Sequence, residues 1–460
     1  RDLHSLRRRQ RQMCIRESDS LKNIASVLQA NSQGDADITG VAFDSRQVKI
    51  GDLFVALVSE HDGHLYIQQA LANGAVAVLV DDQHAITPDI PAIIVPDTLL
   101  ALQRLGQYRR EMVNPKVIAI TGSNGKTTTK DMTAAILSTK FKTFKTPENY
   151  NNEIGVPMTL LSMPDDTEVL VVELGMDRPG QLTVLSHLVM PDIAIITMIG
   201  EAHIEFFQTR DNIARAKLEI TQGLKSDGIL LVPFDEPLLT QAAVKSDRQY
   251  FGEKVSAIQA LATVTTFTFE QQKFAIPVMG RYNVMNALAA ISAGKLLSID
   301  LKHAALALKN FDLTKNRTER LVTSQGVVLI SDVYNANPTA VAAVLSTLKS
   351  LPARRKYVVL GDMLELGTQA NHLHAELGPK ILDTDVDGVY LVGSLFNQNT
   401  APLLMSKMGV ERVHLYQTDQ LKQLASDLLA ISQPGDVILL KASHGIHLEE
   451  VVQQLTSEQP

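Results

Sequence analysis

The chain has 460 residues, 45% of them hydrophobic and 20% charged, with 13 Phe, 9 Tyr and no Trp. This is the composition of a globular protein, and at roughly 150 residues per domain the length asks for two to four domains. A net charge of −7 leaves no basic face for nucleic acid, so a phosphate-bearing ligand has to be held by a local site and small molecules are the expected partners.

Arg1, Arg7, Arg8, Arg9 and Arg11 crowd the start of the chain, but no apolar region follows as a signal peptide requires. Residues 1–13 read as a disordered or appended extension, with Met13 as a start, in preference to a basic nucleic-acid arm. Cys14 is the single cysteine; it excludes an internal disulfide and a cysteine-rich metal site and fits a reducing cytoplasm. No apolar run reaches the ~20 residues of a membrane span.

From residue 38 to 95 short apolar runs (52–57, 75–80, 92–95) alternate with a helical stretch at 66–72, the mark of a small α/β domain. A helix over 99–112 leads out of it to Asn114-Pro115, where the residue before proline is pushed away from helix. Strands at 116–120, 169–174, 193–199 and 229–232, separated by helical segments, predict a parallel sheet covered on both faces. A third block has strands at 327–331, 357–360, 389–392, 413–416 and 437–440, with helices at 340–348 and 371–381 between them. Three α/β domains follow: 14–113, 114–313 and 314–460. The central one is a P-loop-type, mostly parallel sheet and the last is Rossmann-like.

The strand at 116–120 enters Thr121-Gly122-Ser123-Asn124-Gly125-Lys126-Thr127-Thr128-Thr129 and then a helix over 130–137. Strand, glycine loop and helix N-terminus together make an anion site, because free N–H groups and the helix dipole converge there. Lys126 is placed for β- and γ-phosphates and Thr127 for Mg²⁺. Two residues, not four, separate the first glycine from Gly-Lys, so this is a shortened phosphate loop. Glu173 ends a strand where a hard carboxylate oxygen suits Mg²⁺ or is merely solvated. By composition alone His203 is a structural histidine and Lys217 a surface lysine.

The T-G-x-N-G-K-T loop resembles that of the Mur ligases and their relatives the folylpolyglutamate synthases, and the likeness extends over residues ~38–455 in the same three-domain order. It implies an ATP-dependent amide ligase. Gly122, Ser123, Asn124, Gly125, Lys126, Thr127 and Thr128 would hold ATP, and two Mg²⁺ ions would sit among Thr127, Glu173, His203 and a carbamoylated Lys217. Lys126, His203 and Lys217 would take part in catalysis with Arg317, an arginine reaching ATP from the last domain.

Asn149-Tyr150-Asn151-Asn152-Glu153-Ile154-Gly155 resembles the family segment whose amides, here Asn151 and Asn152, meet substrate. Asn286, in Gly280-Arg281-Tyr282-Asn283-Val284-Met285-Asn286, would meet adenine. The string Asp332-Val333-Tyr334-Asn335-Ala336-Asn337-Pro338 resembles the branch that adds D-alanyl-D-alanine to a UDP-linked muramoyl tripeptide in peptidoglycan synthesis. By that likeness Asp332 meets the nucleotide, and Asn335 and Asn337 the dipeptide. Leu360-Gly361-Asp362-Met363-Leu364-Glu365-Leu366-Gly367 accompanies it without an assigned role. Ser45 and Arg46, in Phe43-Asp44-Ser45-Arg46, would grip the UDP end. The expected protein is a cytoplasmic monomer acting on small molecules.

Overall fold

The computed structural model describes residues 19–457 apart from 60, 83–84, 262, 312–313 and 315–318. Its first unit contains β1 (Asp19–Ser20), β2 (Asn31–Gln33), β3 (Asp37–Ile38), β4 (Gly40–Ala42), β5 (Asp52–Val55), β6 (Ala77–Val80) and β7 (Ala92–Ile94). β1 pairs with β3, and the other five form one sheet of order β2-β7-β6-β5-β4, parallel except for β2 at the edge. The helix Thr98–Val113 leaves this unit and stops at Asn114, whose φ of 49° is left-handed. Proline at 115 therefore follows a true helix end.

The central sheet holds β8 (Lys116–Thr121), β9 (Thr143–Lys145), β10 (Val169–Glu173), β11 (Ile193–Ile196), β12 (Ile229–Pro233) and β13 (Asp247–Phe251), in the order β13-β12-β11-β8-β10-β9. Every pairing is parallel. Val117 to Ile120 are almost wholly buried, as strands covered on both faces must be. β8 lies between β10 and β11, so the strand order reverses at its C-terminal end, where an open sheet leaves a crevice for ligand.

An antiparallel ribbon of β14 (Val255–Ala260), β15 (Thr265–Phe269) and β16 (Gln272–Ile276) follows. It was not foreseen in the sequence, although Phe267, Phe269, Phe274 and Ile276 are buried at every second position, the signature of a strand with one face on a core.

The last sheet comprises β17 (Glu319–Val322), β18 (Val328–Asp332), β19 (Lys356–Gly361), β20 (Gly388–Val392), β21 (Val413–Tyr416) and β22 (Val437–Lys441), ordered β17-β18-β22-β19-β20-β21. Only β17 runs antiparallel. The helix expected over 371–381 is two, Ala370–Ala375 and Leu377–Asp383, because Pro379 has no N–H to carry the ladder across the junction. One apolar cluster passes from the central unit (Ile204, Phe207, Met279) into the last (Val341, Leu366, Leu377), so the two sheets share a core and their C-terminal edges face each other.

Candidate active site

Gly125 is the N-cap of the helix Lys126–Leu137, with φ 83° and no side-chain cap. The first-turn N–H groups therefore lack intrahelical acceptors and point out of the loop toward any anion placed there. A Cβ on Gly122 would stand 1.8 Å from Thr197 Oγ1, and one on Gly125 2.3 Å from Asn286 Oδ1. Space as well as left-handed φ demands glycine at both positions. Thr197 Oγ1 braces the loop from below by donating to the Asn124 carbonyl at 2.5 Å. Lys126 folds over it, its Nζ donating to the Gly122 carbonyl at 3.0 Å.

This loop opens into a cavity of about 580 Å³ to which all three units contribute. The central unit supplies Lys126, Thr127, Asn151, Asn152, Glu173 and His203; the first supplies Leu57 to Ser59; the last supplies Tyr334, Asn335, Leu364, Glu365 and Ser443 to Gly445. Glu173 is buried, with Oε1 accepting from Asn151 Nδ2 at 2.8 Å and Oε2 without a hydrogen-bond partner. A buried carboxylate oxygen left open at the mouth of a phosphate loop is an arrangement suited to a hard cation. Asn152 spends its Oδ1 on the N–H groups of Ile154 and Gly155, which fixes the turn but leaves its amide nitrogen to the cavity.

Lys217 is no surface lysine. It is 2% exposed on the helix Arg210–Leu218, and burial, followed by the nearby Lys126 charge, holds its ammonium pKa well below the usual lysine value. His203 has a left-handed backbone, φ 62°, and its Nδ1 lies 2.5 Å from Glu365 Oε2. The close His203 imidazole keeps the Glu365 carboxyl below the ordinary range despite its partial burial.

In the last unit Asp332 pairs with buried Lys441 at 2.6 Å, and the same Nζ donates to the Asn335 carbonyl at 2.8 Å. Lys441 thus shapes the loop that carries Tyr334 and Asn335. Asn337, expected at the dipeptide, is 1% exposed and is not among the residues that line the cavity. Its side chain caps the helix Pro338–Ser350 through Ala340 N and exchanges two amide hydrogen bonds with Asn124 of the phosphate loop, at 2.8 and 3.2 Å. Thr339 to Glu201 at 2.7 Å, Asn149 to Tyr334 at 3.0 Å, Gln369 to the Gln208 carbonyl at 2.9 Å and Glu205 N to the Glu365 carbonyl at 3.1 Å add to the contact between the units.

Asn286 is likewise turned inward, buried beneath Gly125 and donating to Asn283 Oδ1 at 2.9 Å. Ser45 is buried with its hydroxyl on Gln69, while Arg46 is 80% exposed and paired with Asp44 at 2.9 Å. The Arg46 hydrogen bond pulls the Asp44 pKa to about 2. Neither Ser45 nor Arg46 borders the large cavity; Asp44 instead lines a second one, of about 910 Å³, between the first and central units, with Lys49, Lys130, Lys145 and Tyr150. Ala442 is fully buried, and the next residue, Ser443, accepts Leu364 N at 2.9 Å. Arg317 lies outside the described residues. Glu365 and Glu201 carry contacts that the sequence reading assigned to no residue.

A parallel sheet with a glycine loop at its switch point, an acidic strand end beside it and a docked third unit make a nucleotide-binding scaffold with room for a second reactant. Three family models match the chain: the Mur ligase family catalytic domain over 37–107, the Mur ligase middle domain over 120–294 and the Mur ligase glutamate ligase domain over 316–444. The chain belongs to the Mur ligase family and is an ATP-dependent ligase.

It is 40% identical over 451 residues to the UDP-N-acetylmuramoyl-tripeptide–D-alanyl-D-alanine ligase of Bacillus subtilis (strain 168), covering 95% of this chain and 98% of that one. A crystal structure of MurF from Acinetobacter baumannii superposes with a TM-score of 0.84 at 30% identity, covering 96% and 99% of the two chains. The MurF ligase of Thermotoga maritima in complex with ADP gives 0.78 at 28% identity, covering 90% and 96%. No helix of the described residues is long and apolar enough to cross a membrane.

Proposed function

We infer that the chain joins D-alanyl-D-alanine to UDP-N-acetylmuramoyl-tripeptide with ATP, giving the pentapeptide, ADP and phosphate in peptidoglycan precursor synthesis. The observation that carries this reading is the single cavity in which the phosphate loop, Glu173 and the Tyr334-Asn335 turn meet. The tripeptide carboxylate attacks the γ-phosphorus and ADP leaves, giving an acyl phosphate. The dipeptide amine then attacks the acyl carbon, a proton goes to solvent and phosphate departs. Two anions must approach in the first step, and Lys126 with the first-turn N–H groups offsets their repulsion; no side-chain nucleophile is required.

Mg²⁺ would be held by Glu173 Oε2, Thr127 and phosphate oxygens, with His203 nearby, and supplies further charge neutralisation. Lys217 is suited to carbamoylation: its depressed pKa favours the free amine that adds to CO₂, giving an anion beside the phosphates. Labelled bicarbonate and a carbamate ¹³C signal lost in Lys217→Met test this. Arg46 can exchange Asp44 for the UDP phosphates, with Ser45 below it; Asp332, through Lys441, orders the wall near the nucleotide. The units 14–113, 114–313 and 314–460 then divide UDP-substrate binding, ATP binding and acceptor binding, in a cytoplasmic monomer.

The experiment is phosphate release with UDP-muramoyl tripeptide, ATP, Mg²⁺ and alternative acceptors, with product mass recorded. Release coupled to the mass of one dipeptide, and abolished in Lys126→Ala, is the expected result. Release only with single amino acids would place the chain with a sister ligase, and ATP turnover without amide product would make it a nucleotide switch.

A further inference from the structure

The Leu360-Gly361-Asp362-Met363-Leu364-Glu365-Leu366-Gly367 segment takes no part in the proposed reaction, yet it is firmly pinned to the cavity wall. Asp362 accepts the N–H groups of Leu395 and Phe396 at 3.0 and 2.9 Å. Met363 N donates to Nε2 of fully buried His374 at 3.0 Å, and Leu364 N donates to Ser443 Oγ at 2.9 Å. Three successive residues are thus anchored to three different elements, and what they present next is the carboxylate of Glu365.

Glu365 carries a left-handed φ of 59°, an uncommon conformation for a non-glycine residue, and the anchored residues before it help to hold it there. Its side chain is about half exposed, into the cavity. Oε2 is engaged by His203, whereas no partner is recorded for Oε1 among the described residues.

Chemistry selects what such a group can receive. ATP and the reacting tripeptide carboxylate are anions, and a carboxylate repels both, whereas the acceptor brings its α-ammonium at the very nitrogen that has to reach the acyl carbon. Of the acidic side chains lining the cavity, Glu153, Glu173 and Asp177 belong to the central unit, and Glu365 alone comes from the wall that also carries Tyr334 and Asn335. Its contact with His203 puts it at the seam between that wall and the central unit, on the cavity into which the phosphate loop opens.

We propose that Glu365 is the acceptor-binding residue that receives the α-ammonium of the incoming dipeptide through its open Oε1 and holds that nitrogen toward the acyl carbon, which it attacks as the free amine after a proton has passed to solvent. This rests on the ligase reading given above. A bound ammonium shares the carboxylate with His203, since two oxygens offer about four acceptor positions.

The test compares wild type, Glu365→Gln and Glu365→Asp with two ligands: D-alanyl-D-alanine as acceptor, and propionyl-D-alanine, the same molecule without the amino group, as competitive inhibitor. Glu365→Gln is expected to raise the dipeptide KM by about tenfold or more, as loss of one partner of a partly desolvated charge pair does. The inhibition constant of propionyl-D-alanine and the KM for ATP should stay near wild type, and Glu365→Asp should recover part of the preference for the amine. A parallel rise for both ligands would make Glu365 a clasp between units and overturn the proposal. So would an unchanged dipeptide KM, or a shift confined to the Mg²⁺ concentration for half-activation. Wild-type turnover separates the two readings: if another amine proves to be the acceptor, the dipeptide assignment falls, and the same comparison on that amine and its desamino analogue decides Glu365.

Discussion

Two junctions in this molecule have the same topology and opposite designs. After β8, the phosphate loop enters its helix through Gly125, which has no side chain to cap with, and the first-turn N–H groups remain available. After β18, the turn 333–337 enters its helix through Asn337 and Pro338; the asparagine caps Ala340 N and the proline has no N–H to leave open. One junction is shaped by backbone freedom and kept electrically hungry, whereas the other is satisfied by its own side chains and free to dock. Strand-loop-helix is therefore only a frame, and the residue at the N-cap decides whether it receives an anion or a neighbouring domain.

The sharpest way to break the comparison is Gly125→Ala. A methyl group 2.3 Å from Asn286 Oδ1, on a backbone at φ 83°, adds strain on the order of 1–3 kcal/mol. Nucleotide affinity, read by equilibrium titration with ADP, should fall by roughly 10- to 100-fold. Affinity near wild type would show that the glycine is incidental. At the other junction Asn337→Ser keeps a cap but removes the amide exchange with Asn124, so turnover should drop about tenfold with little loss of thermal stability. Unchanged turnover would reduce that exchange to passive packing. Asn337→Ala loses the cap as well, and its thermal midpoint should fall by about 2–4 °C, the effect of ~1 kcal/mol in a domain of this size.

The smallest effect concerns His374, which supports the loop next to the second junction. Burial lowers its pKa below the usual 6.5, so the native state resists a proton that the unfolded chain accepts. Stability is then fully present above the unfolded value of 6.5 and falls as pH drops from there toward the folded pKa. Chemical denaturation across that range should show a shallower pH slope in His374→Asn, and an identical slope would remove the histidine from the account.

The first junction was legible and the second only half so. Gly122, Gly125 and Lys126 announce themselves because their chemistry is local: spacing, strand and helix all sit within a dozen residues. The helix nevertheless begins at Lys126, not near Lys130 as its pattern suggested, since Thr127, Thr128 and Thr129 are β-branched residues whose burial overrides their weak helical preference. Asn337 was singled out in the sequence, but the direction of its side chain was not legible there. Its orientation depends on Asn124, 213 positions away in the chain, and no periodicity encodes a contact between two amides on separate domains. Lys217 was picked out by resemblance, but its burial was unreadable for the same reason: what packs over a lysine decides it. The contact between His203 and Glu365 joins two unusual backbones that only the assembled fold reveals.

The amide exchange between Asn124 and Asn337 makes one further demand on the molecule. Because each partner belongs to a different junction, whatever preference the docked arrangement has for a filled phosphate loop must be mirrored, factor for factor, in the preference of the filled loop for docking. If filling the loop alters that exchange, nucleotide and C-terminal domain bias one another by the same factor, and the paired carboxamides are one of the contacts through which they do so.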